Sequence, residues 1–416
     1  MEVVLSQDKL IDSCRICSST NLVSRLDMGS VALTGHFSPN GSTVPKLDLN
    51  LAQCEDCGLV QLFNAYSHEL LYGENYGYES HLNKSMQSHL INKARILEKR
   101  FLPNRSATVM DIASNDGTLL SGYEGIGITK IGVDPILEFL NDFYPRNTVK
   151  IPKFFDQNIL DDVKPNSVDL VTSLSVLYDL ERPTDFVQTV QRILKPGGVW
   201  HFEQSYLPSM LYNLSYDTIC HEHLLYLSMR DIQKMLFNNG FSIIDATQNA
   251  INGGSLAITA VKDKRNKLNP YVDYLIRKEN EMGLLSGEAL IDFASASKLH
   301  AQEIRSMILE FKNNGFNIHG LGASTKGNVL LNFANITSAE VDFIGDVNPK
   351  KFGKRTPGSN IEIISQDDAL SLVTEQTIFL ILPWHFRDNI ISNCSSILER
   401  SGKFLLPLPR LEIVAN

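Results

Sequence analysis

Four of the six cysteines fall within the first 57 residues of the chain, as two C-x-x-C pairs: Cys14-Arg15-Ile16-Cys17 and Cys54-Glu55-Asp56-Cys57. Two residues between thiolates let a tight turn aim both sulfurs at one ion, and two such knuckles complete a tetrahedron. The pairs lie 37 positions apart, wider than the common ribbon spacing, and the turn-rich, strand-like stretch from Val23 to Leu49 fits an inserted β excursion. A redox dithiol needs a strand-then-helix setting and leaves the second pair unexplained. Four unrelated buried thiols are the remaining alternative. In the zinc reading, Cys14, Cys17, Cys54 and Cys57 close the tetrahedron with sulfur alone, a structural site with no open position for a substrate.

The 416 residues are enough for two to three domains, and 43% apolar with 20% charged residues is a globular composition. Lys+Arg 38 against Asp+Glu 47 gives a net charge of −9 with no basic block, which speaks against nucleic acid or an anionic membrane as partner. The longest apolar runs, such as Ile378 to Leu382, have the length of strands and not of membrane spans. No charged-then-apolar leader pattern opens the sequence, so a cytoplasmic protein without disulfides is expected.

A helical stretch, about Leu82 to Arg100, precedes Ala107-Thr-Val-Met-Asp111-Ile-Ala113-Ser-Asn115-Asp116-Gly117-Thr118. An apolar strand that ends in an acid and a small-residue turn, with a helix opening after it, is how an α/β sheet presents a nucleotide. The dinucleotide G-x-G-x-x-G is absent, since Ala113 and Asn115 stand at its first two glycines. Asp116 inside the turn would repel a pyrophosphate but tolerate a cationic sulfonium. Ile131-Gly132-Val133-Asp134-Pro135 is a second strand ending in an acid, 23 positions after Asp111, close to the offset of a ribose-binding carboxylate. Strands at Ser167–Val171 and Val199–Phe202 follow, the second after the turn Leu194-Lys195-Pro196-Gly197-Gly198. A closing antiparallel pair brackets Asn252-Gly253-Gly254. In this order the pieces resemble class I S-adenosylmethionine methyltransferases. Ordinary strand-end polarity and an NAD-type domain are the alternatives.

Two clusters carry candidate chemistry. In Ser215-Tyr216-Asp217-Thr218-Ile219-Cys220-His221-Glu222-His223-Leu224 the histidines are at i, i+2, so the zincin H-E-x-x-H pattern fails. A histidine beside a carboxylate makes a general base, and a structural polar loop is the alternative. In Tyr72-Gly-Glu74-Asn75-Tyr76-Gly77-Tyr78-Glu79-Ser80-His81 the tyrosines suit contact with a polyol, or packing between lobes.

The ordered set C-x-x-C, C-x-x-C-G-L-V-Q, Y-G-Y, D-I-x-S-N-D-G-T-L-L, Y-D-T-I-x-H-E-H, N-G-G-S and G-A-S-T-K-G-N resembles the sugar C-methyltransferases over essentially the whole chain. The resemblance implies an α/β chain in three parts: a zinc-binding lobe at 1–80, a methyltransferase domain at 81–265 and a smaller Rossmann-like domain at 266–416. It implies S-adenosylmethionine and structural zinc, and a nucleotide-linked 4-keto-6-deoxy sugar alkylated at C3 through an enolate. His223 would be the base and Glu222 its neighbour, with Tyr76 or Tyr78 on the sugar and a tyrosine hydroxyl or His221 as donor to the C4 oxygen. Asp111, Ala113, Asn115, Asp116, Gly117, Asp134 and Pro135 are the expected cofactor contacts.

Relatives often have Gly at Ala113, Tyr at Cys220 and His at Asp179, so Asp179 and Cys220 mark a sugar environment of its own. In the C-terminal third, the turn Gly320-Leu-Gly322-Ala-Ser324-Thr325-Lys326-Gly327-Asn328 could seat a diphosphate, with Thr325, Lys326 and Asn328 in contact. A decayed nucleotide fold that only walls the cleft is the alternative. A catalytically silent binding module is disfavoured by the intact S-N-D-G turn and H-E-H, and an RNA methyltransferase by the charge. The nucleotide, the sugar configuration and the oligomeric state are not encoded in any motif.

Overall fold

The computed structural model describes residues 9–39, 44–66, 71, 80–102, 106–137, 143–263 and 269–416. Tyr76 and Tyr78 lie outside these residues. No helix among those described is long and apolar enough to cross a membrane.

The N-terminal lobe is an antiparallel sheet of β1 (Leu22–Ala32), β2 (Lys46–Cys54) and β3 (Val60–Leu62), continued by the two-residue strand Leu225–Tyr226. The two knuckles share one geometry: Ser18 N–H donates to Cys14 O at 2.9 Å, and Gly58 N–H to Cys54 O at 2.8 Å. This brings the sulfurs together. Cys14 Sγ is 3.7 Å from Cys57 Sγ, Cys17 Sγ is 3.6 Å from Cys54 Sγ, and all four lie within 4.8 Å of one another. A tetrahedral zinc with bonds of about 2.3 Å needs sulfurs about 3.8 Å apart. The donor set fits that ion and is complete without a fifth residue.

Helix α1 (Lys84–Phe101) leads into a seven-stranded sheet. Its strands are β4 (Ala107–Ile112), β5 (Ile128–Val133), β6 (Val149–Ile151), β7 (Val168–Leu174), β8 (Leu194–Ser205), β9 (Ser242–Asn249) and β10 (Ser255–Val261). The order is β9-β10-β8-β7-β4-β5-β6, parallel from β8 to β6 and antiparallel at β9 and β10. The strand order reverses between β4 and β7, so the ends of these two neighbouring strands open a crevice at the switch point. Trp200 and Phe202 fill the core on one face of β8. On the other face, burial alone would raise the Glu203 pKa. Hydrogen bonds and charge from His89 and Lys93 of α1 prevail and hold it near 2.

Two helices follow the central sheet, α2 (Pro270–Glu281) and α3 (Glu288–Asn313), broken at left-handed Gly283 and Gly287. They lead to a second α/β unit in which β11 (Asn317–Leu321) enters helix α4 (Thr325–Phe333). The unit continues through β12 (Phe343–Asp346), β13 (Glu362–Ser365), β14 (Thr377–Ile381) and β15 (Lys403–Leu406), with a closing strand at Glu412–Val414. The parts exchange strands. Ser38–Pro39 of the N-terminal lobe pairs with Lys354–Arg355 at the edge of the C-terminal sheet, and Leu225–Tyr226 of the central part pairs with β3.

Cys54 is fully buried between its knuckle and β1, so its loss opens the sulfur cage from inside. Cys54→Ser is expected to lose bound zinc and to melt the N-terminal lobe, because structural zinc contributes on the order of 10 kcal/mol to such folds. Elemental zinc analysis beside a thermal melt checks this, and wild-type values in both would contradict it.

Candidate active site

The turn after β4 winds tightly. Ala113, Asn115 and Gly117 have φ of +53°, +49° and +81°. Gly117 is required there, since a β-carbon would stand 2.7 Å from the Tyr144 ring that lies across the turn. The Tyr144 hydroxyl donates to Asn115 O at 2.7 Å and meets the Ser114 hydroxyl at 2.7 Å. Asp134, at the end of β5, completes the arrangement. Its carboxylate accepts from Asn115 N–H at 2.9 Å and from Ile136 N–H at 3.0 Å.

A cleft of about 660 Å³ opens beside this turn, and Ala113, Asn115, Asp134 and Pro135 are on its wall. Ile136, Phe155 and Leu174 give it an apolar side, and Asp156 adds a carboxylate. A planar base between apolar side chains and a ribose on Asp134 fit this lining, because each carboxylate oxygen keeps a free lone pair. The adenosyl end of S-adenosylmethionine therefore has a matching site.

The other acids of the turn face elsewhere. Asp111 is buried in the sheet, accepts the Thr172 hydroxyl at 2.6 Å, and is pushed by burial up to about 7. Asp116 accepts from Thr118 N–H and Oγ1 with one oxygen, and from His81 N–H at 2.8 Å and the His81 ring at 2.9 Å with the other. A carboxylate here is expected from the sequence to repel a pyrophosphate and tolerate a sulfonium. Asp116 instead anchors the entry to α1, and Gly117 serves the packing of Tyr144.

The H-E-H segment runs between the three parts as a 3-10 turn (Tyr216–Thr218), an irregular stretch and the short strand Leu225–Tyr226. His223 donates from Nδ1 to the Thr218 carbonyl at 2.8 Å. That hydrogen bond fixes the tautomer, so Nε2 carries the lone pair. Burial, reinforced by the Lys326 charge, lowers the His223 pKa to about 3, which keeps the ring neutral at pH 7. The Tyr178 ring is 4.4 Å away. Burial pushes the Glu222 carboxyl up, and its Oε2 has no hydrogen-bond partner among the described residues. Cys220, 1% exposed, is acted on by both Glu222 and Asp179, and Asp179 also lines the cofactor cleft.

His221 is placed differently. Its ring is fully buried, donates from Nε2 to Leu47 O at 3.2 Å, and packs edge-on against Tyr66 at 5.1 Å. It joins the segment to the N-terminal lobe.

The C-terminal unit brings the start of α4 against this segment. A β-carbon at Gly35 would lie 3.0 Å from Glu222 Oε1 and 4.0 Å from Thr325 Oγ1, so these side chains meet across one glycine. Lys326 donates to Asn252 O at 2.8 Å. Asn328 is fully buried and donates to Thr34 O at 2.7 Å, which bolts α4 to the N-terminal lobe. Three further residues belong here. Trp384 donates from Nε1 to fully buried Asp217 at 2.8 Å, with His385 next to it. The indole packs where a β-carbon on Gly253 would stand 3.0 Å away. Their signal was present in Y-D-T and P-W-H, but the 167 positions between Asp217 and Trp384 hide the pairing.

Comparison with known proteins follows this division. A zinc binding domain model matches residues 14–72, a methyltransferase domain model residues 80–246, and a C-methyltransferase C-terminal domain model residues 250–409. The chain is 26% identical over 413 residues to the C-methyltransferase NovU of Streptomyces niveus, covering 97% of each chain. Among solved structures, a chain from a complex of a Haloferax volcanii methyltransferase activator with a methyltransferase aligns at a TM-score of 0.36 and 17% identity, over 43% of this chain and 93% of that one. A methyltransferase from Bacillus halodurans C-125 aligns at 0.35 and 15%, over 43% and 99%. With the three models in order, a relative matched end to end, a four-sulfur cage and a cleft at the switch point, the chain is similar over nearly its whole length to the S-adenosylmethionine-dependent C-methyltransferases.

Proposed function

We propose that this protein methylates C3 of a nucleotide-linked 4-keto-6-deoxy sugar. The observation that carries the reading is the His223 tautomer: a neutral imidazole with its lone pair on Nε2, in a buried polar cluster with no metal-ligand pattern. Carbon is a poor nucleophile until a proton leaves it, and a C3 proton is acidic only beside the C4 carbonyl. His223 Nε2 takes that proton, and the electron pair passes through the C3–C4 bond onto the carbonyl oxygen. The bound cofactor supplies an electrophilic methyl on a sulfonium. The walls of the cleft hold C3 in line with it, and such positioning supplies much of the rate.

A base with a pKa near 3 is weak in the free protein. Negative charge developing on the sugar beside it raises its proton affinity as the proton moves. Burial also pushes the neighbouring Glu222 carboxyl up, which favours the form that can donate a hydrogen bond.

Incubation with S-adenosylmethionine and a panel of nucleotide-linked 4-keto-6-deoxyhexoses should give a product heavier by one methylene in the mass spectrum. No gain with any member would count against the substrate class. His223→Asn should keep cofactor binding and lose methyl transfer by roughly 10²- to 10⁴-fold, together with solvent exchange at C3. Turnover near wild type would remove His223 from the role of base.

The pH dependence has a defined sign. Because the His223 pKa is lowered, the competent neutral form persists well below the usual imidazole value, so kcat/KM should show no acid limb centred near 6.5. A limb at that pH, measured where the protein is folded, would mean that a different group is titrating.

A further inference from the structure

Lys326 has the wrong neighbours for a diphosphate ligand. The groups acting on its ammonium are Asp217 and Cys220, and it acts in turn on His223 and His385. Asp217 is fully buried; one carboxylate oxygen takes the Trp384 indole N–H at 2.8 Å, and the other has no partner among the described residues. A diphosphate here would enter the field of that carboxylate. The position of Lys326 is independently fixed. Thr325, one residue before it, faces Glu222 across Gly35, and the ammonium donates to Asn252 O at 2.8 Å. An ammonium has three donors, so beyond Asn252 it can still serve a ligand. His385 Nδ1 and Asn328 Oδ1 are likewise enclosed without a hydrogen-bond partner among the described residues.

These groups form a polar end beside the H-E-H segment that is close to neutral overall: the Lys326 amine, whose pKa burial lowers and Asp217 raises, is set against one carboxylate next to a neutral base. Such an end accepts an uncharged carbonyl and stabilises charge only as it develops. We propose that Lys326 is the electrophilic catalytic residue: its ammonium receives the ketone oxygen next to the carbon deprotonated by His223, and Asp217, held by Trp384, is the positioning residue that balances and aims it.

The step balances. The C–H bond breaks, its proton goes to His223 Nε2, and its electron pair becomes the C3–C4 π bond as the carbonyl π pair moves onto oxygen, hydrogen-bonded to Lys326. As the C3–methyl bond forms, the methyl–sulfur bond breaks with its pair left on sulfur. The carbonyl returns, and the proton on His223 passes to solvent.

The proposal rests on the ketone-sugar reading, and the test separates the two. Deuterium uptake at C3 is measured in D2O without S-adenosylmethionine, on TDP- and GDP-linked 4-keto-6-deoxyhexoses, beside methyl transfer with it. The full-length wild type should catalyse both. Lys326→Gln should lose both by about 100-fold or more, with S-adenosylmethionine binding intact and substrate KM within a few-fold. Lys326→Arg should recover part of the loss. Asp217→Asn should lower kcat and leave KM little changed. Methylammonium added to Lys326→Ala should raise the exchange rate with concentration.

Wild-type exchange that Lys326→Gln leaves unchanged overturns the role of Lys326 alone. So does a rise in KM with kcat retained, the signature of a phosphate contact. Absence of exchange with the wild type on both substrates overturns the ketone-sugar reading and this proposal with it. If Lys326→Gln and Lys326→Ala melt early, Lys326→Arg decides: a folded variant with wild-type KM and a lowered exchange rate supports the proposal, and one with raised KM and an undiminished rate overturns it.

Discussion

Most of residues 215–226 are buried, and all three parts of the chain supply hydrogen-bond partners to them. Tyr216 gives its hydroxyl hydrogen to His300 Nδ1 at 3.0 Å and packs on Phe333. Asp217 receives Trp384, His221 reaches Leu47 O, and Leu225–Tyr226 extends the sheet of the zinc lobe. Leaving such a group unpaired costs about 1–3 kcal/mol, so each lobe is held where its partner atom must stand. His223 inherits its precision from this. Its acceptor, Thr218 O, sits in a turn that no single lobe could fix, which explains why a zinc cage without an open coordination site belongs in a methyltransferase.

One device is built twice and used in two ways. Asp134 ends the second strand of the central sheet and accepts the N–H of Asn115 from the first turn. Asp346 ends β12 and accepts the N–H of Ala323 at 2.7 Å. Each also takes the N–H two residues ahead of it in sequence, from Ile136 and from Asn348. The difference lies in what covers the acid. Asp134 lines an open cleft, whereas Lys351 lies 3.5 Å from Asp346, donates to Ala323 O at 2.7 Å, and spans to the Phe37 ring of the N-terminal lobe at 4.9 Å. The glycines of the second turn also serve packing: a β-carbon on Gly322 would be 2.6 Å from Pro383, and one on Gly327 2.6 Å from Leu382. In the second unit these positions are occupied by the protein's own side chains, and Thr325 at the start of α4 lies across Gly35 from Glu222.

What was legible in the sequence is what local spacing controls. C-x-x-C fixes a knuckle within four residues, so the sulfur cage could be read without the fold. A strand ending in Asp111 and a second ending in Asp134 fix a crevice, because strand ends and turns are local. Side-chain direction in an aperiodic stretch is not local. Strands alternate every two residues and helices repeat every 3.6, but residues 215–226 do neither, so nothing in H-E-H says that His221 turns to the zinc lobe while His223 turns inward. The direction of the Asp116 side chain was hidden for a related reason. Its orientation is set by His81, 35 positions away, and by its own capping of Thr118.

The electrostatics of the reacting end explain why these directions matter. His223 is neutral, burial pushes the Glu222 and Asp217 carboxyls up and the Lys326 ammonium down, and the charges of Lys326 and Asp217 oppose one another, so little net charge is left before reaction. In a site of low dielectric, a full negative charge in the ground state would bind tightly and gain nothing at the transition state. A neutral ketone gains only when its oxygen takes up charge. The same burial that weakens His223 as a free base therefore strengthens each donor aimed at the enolate, since both effects follow from the exclusion of water. In the proposed reaction the site forgoes basicity at rest and regains it when the imidazolium and the oxyanion appear together, each then stabilised by the other.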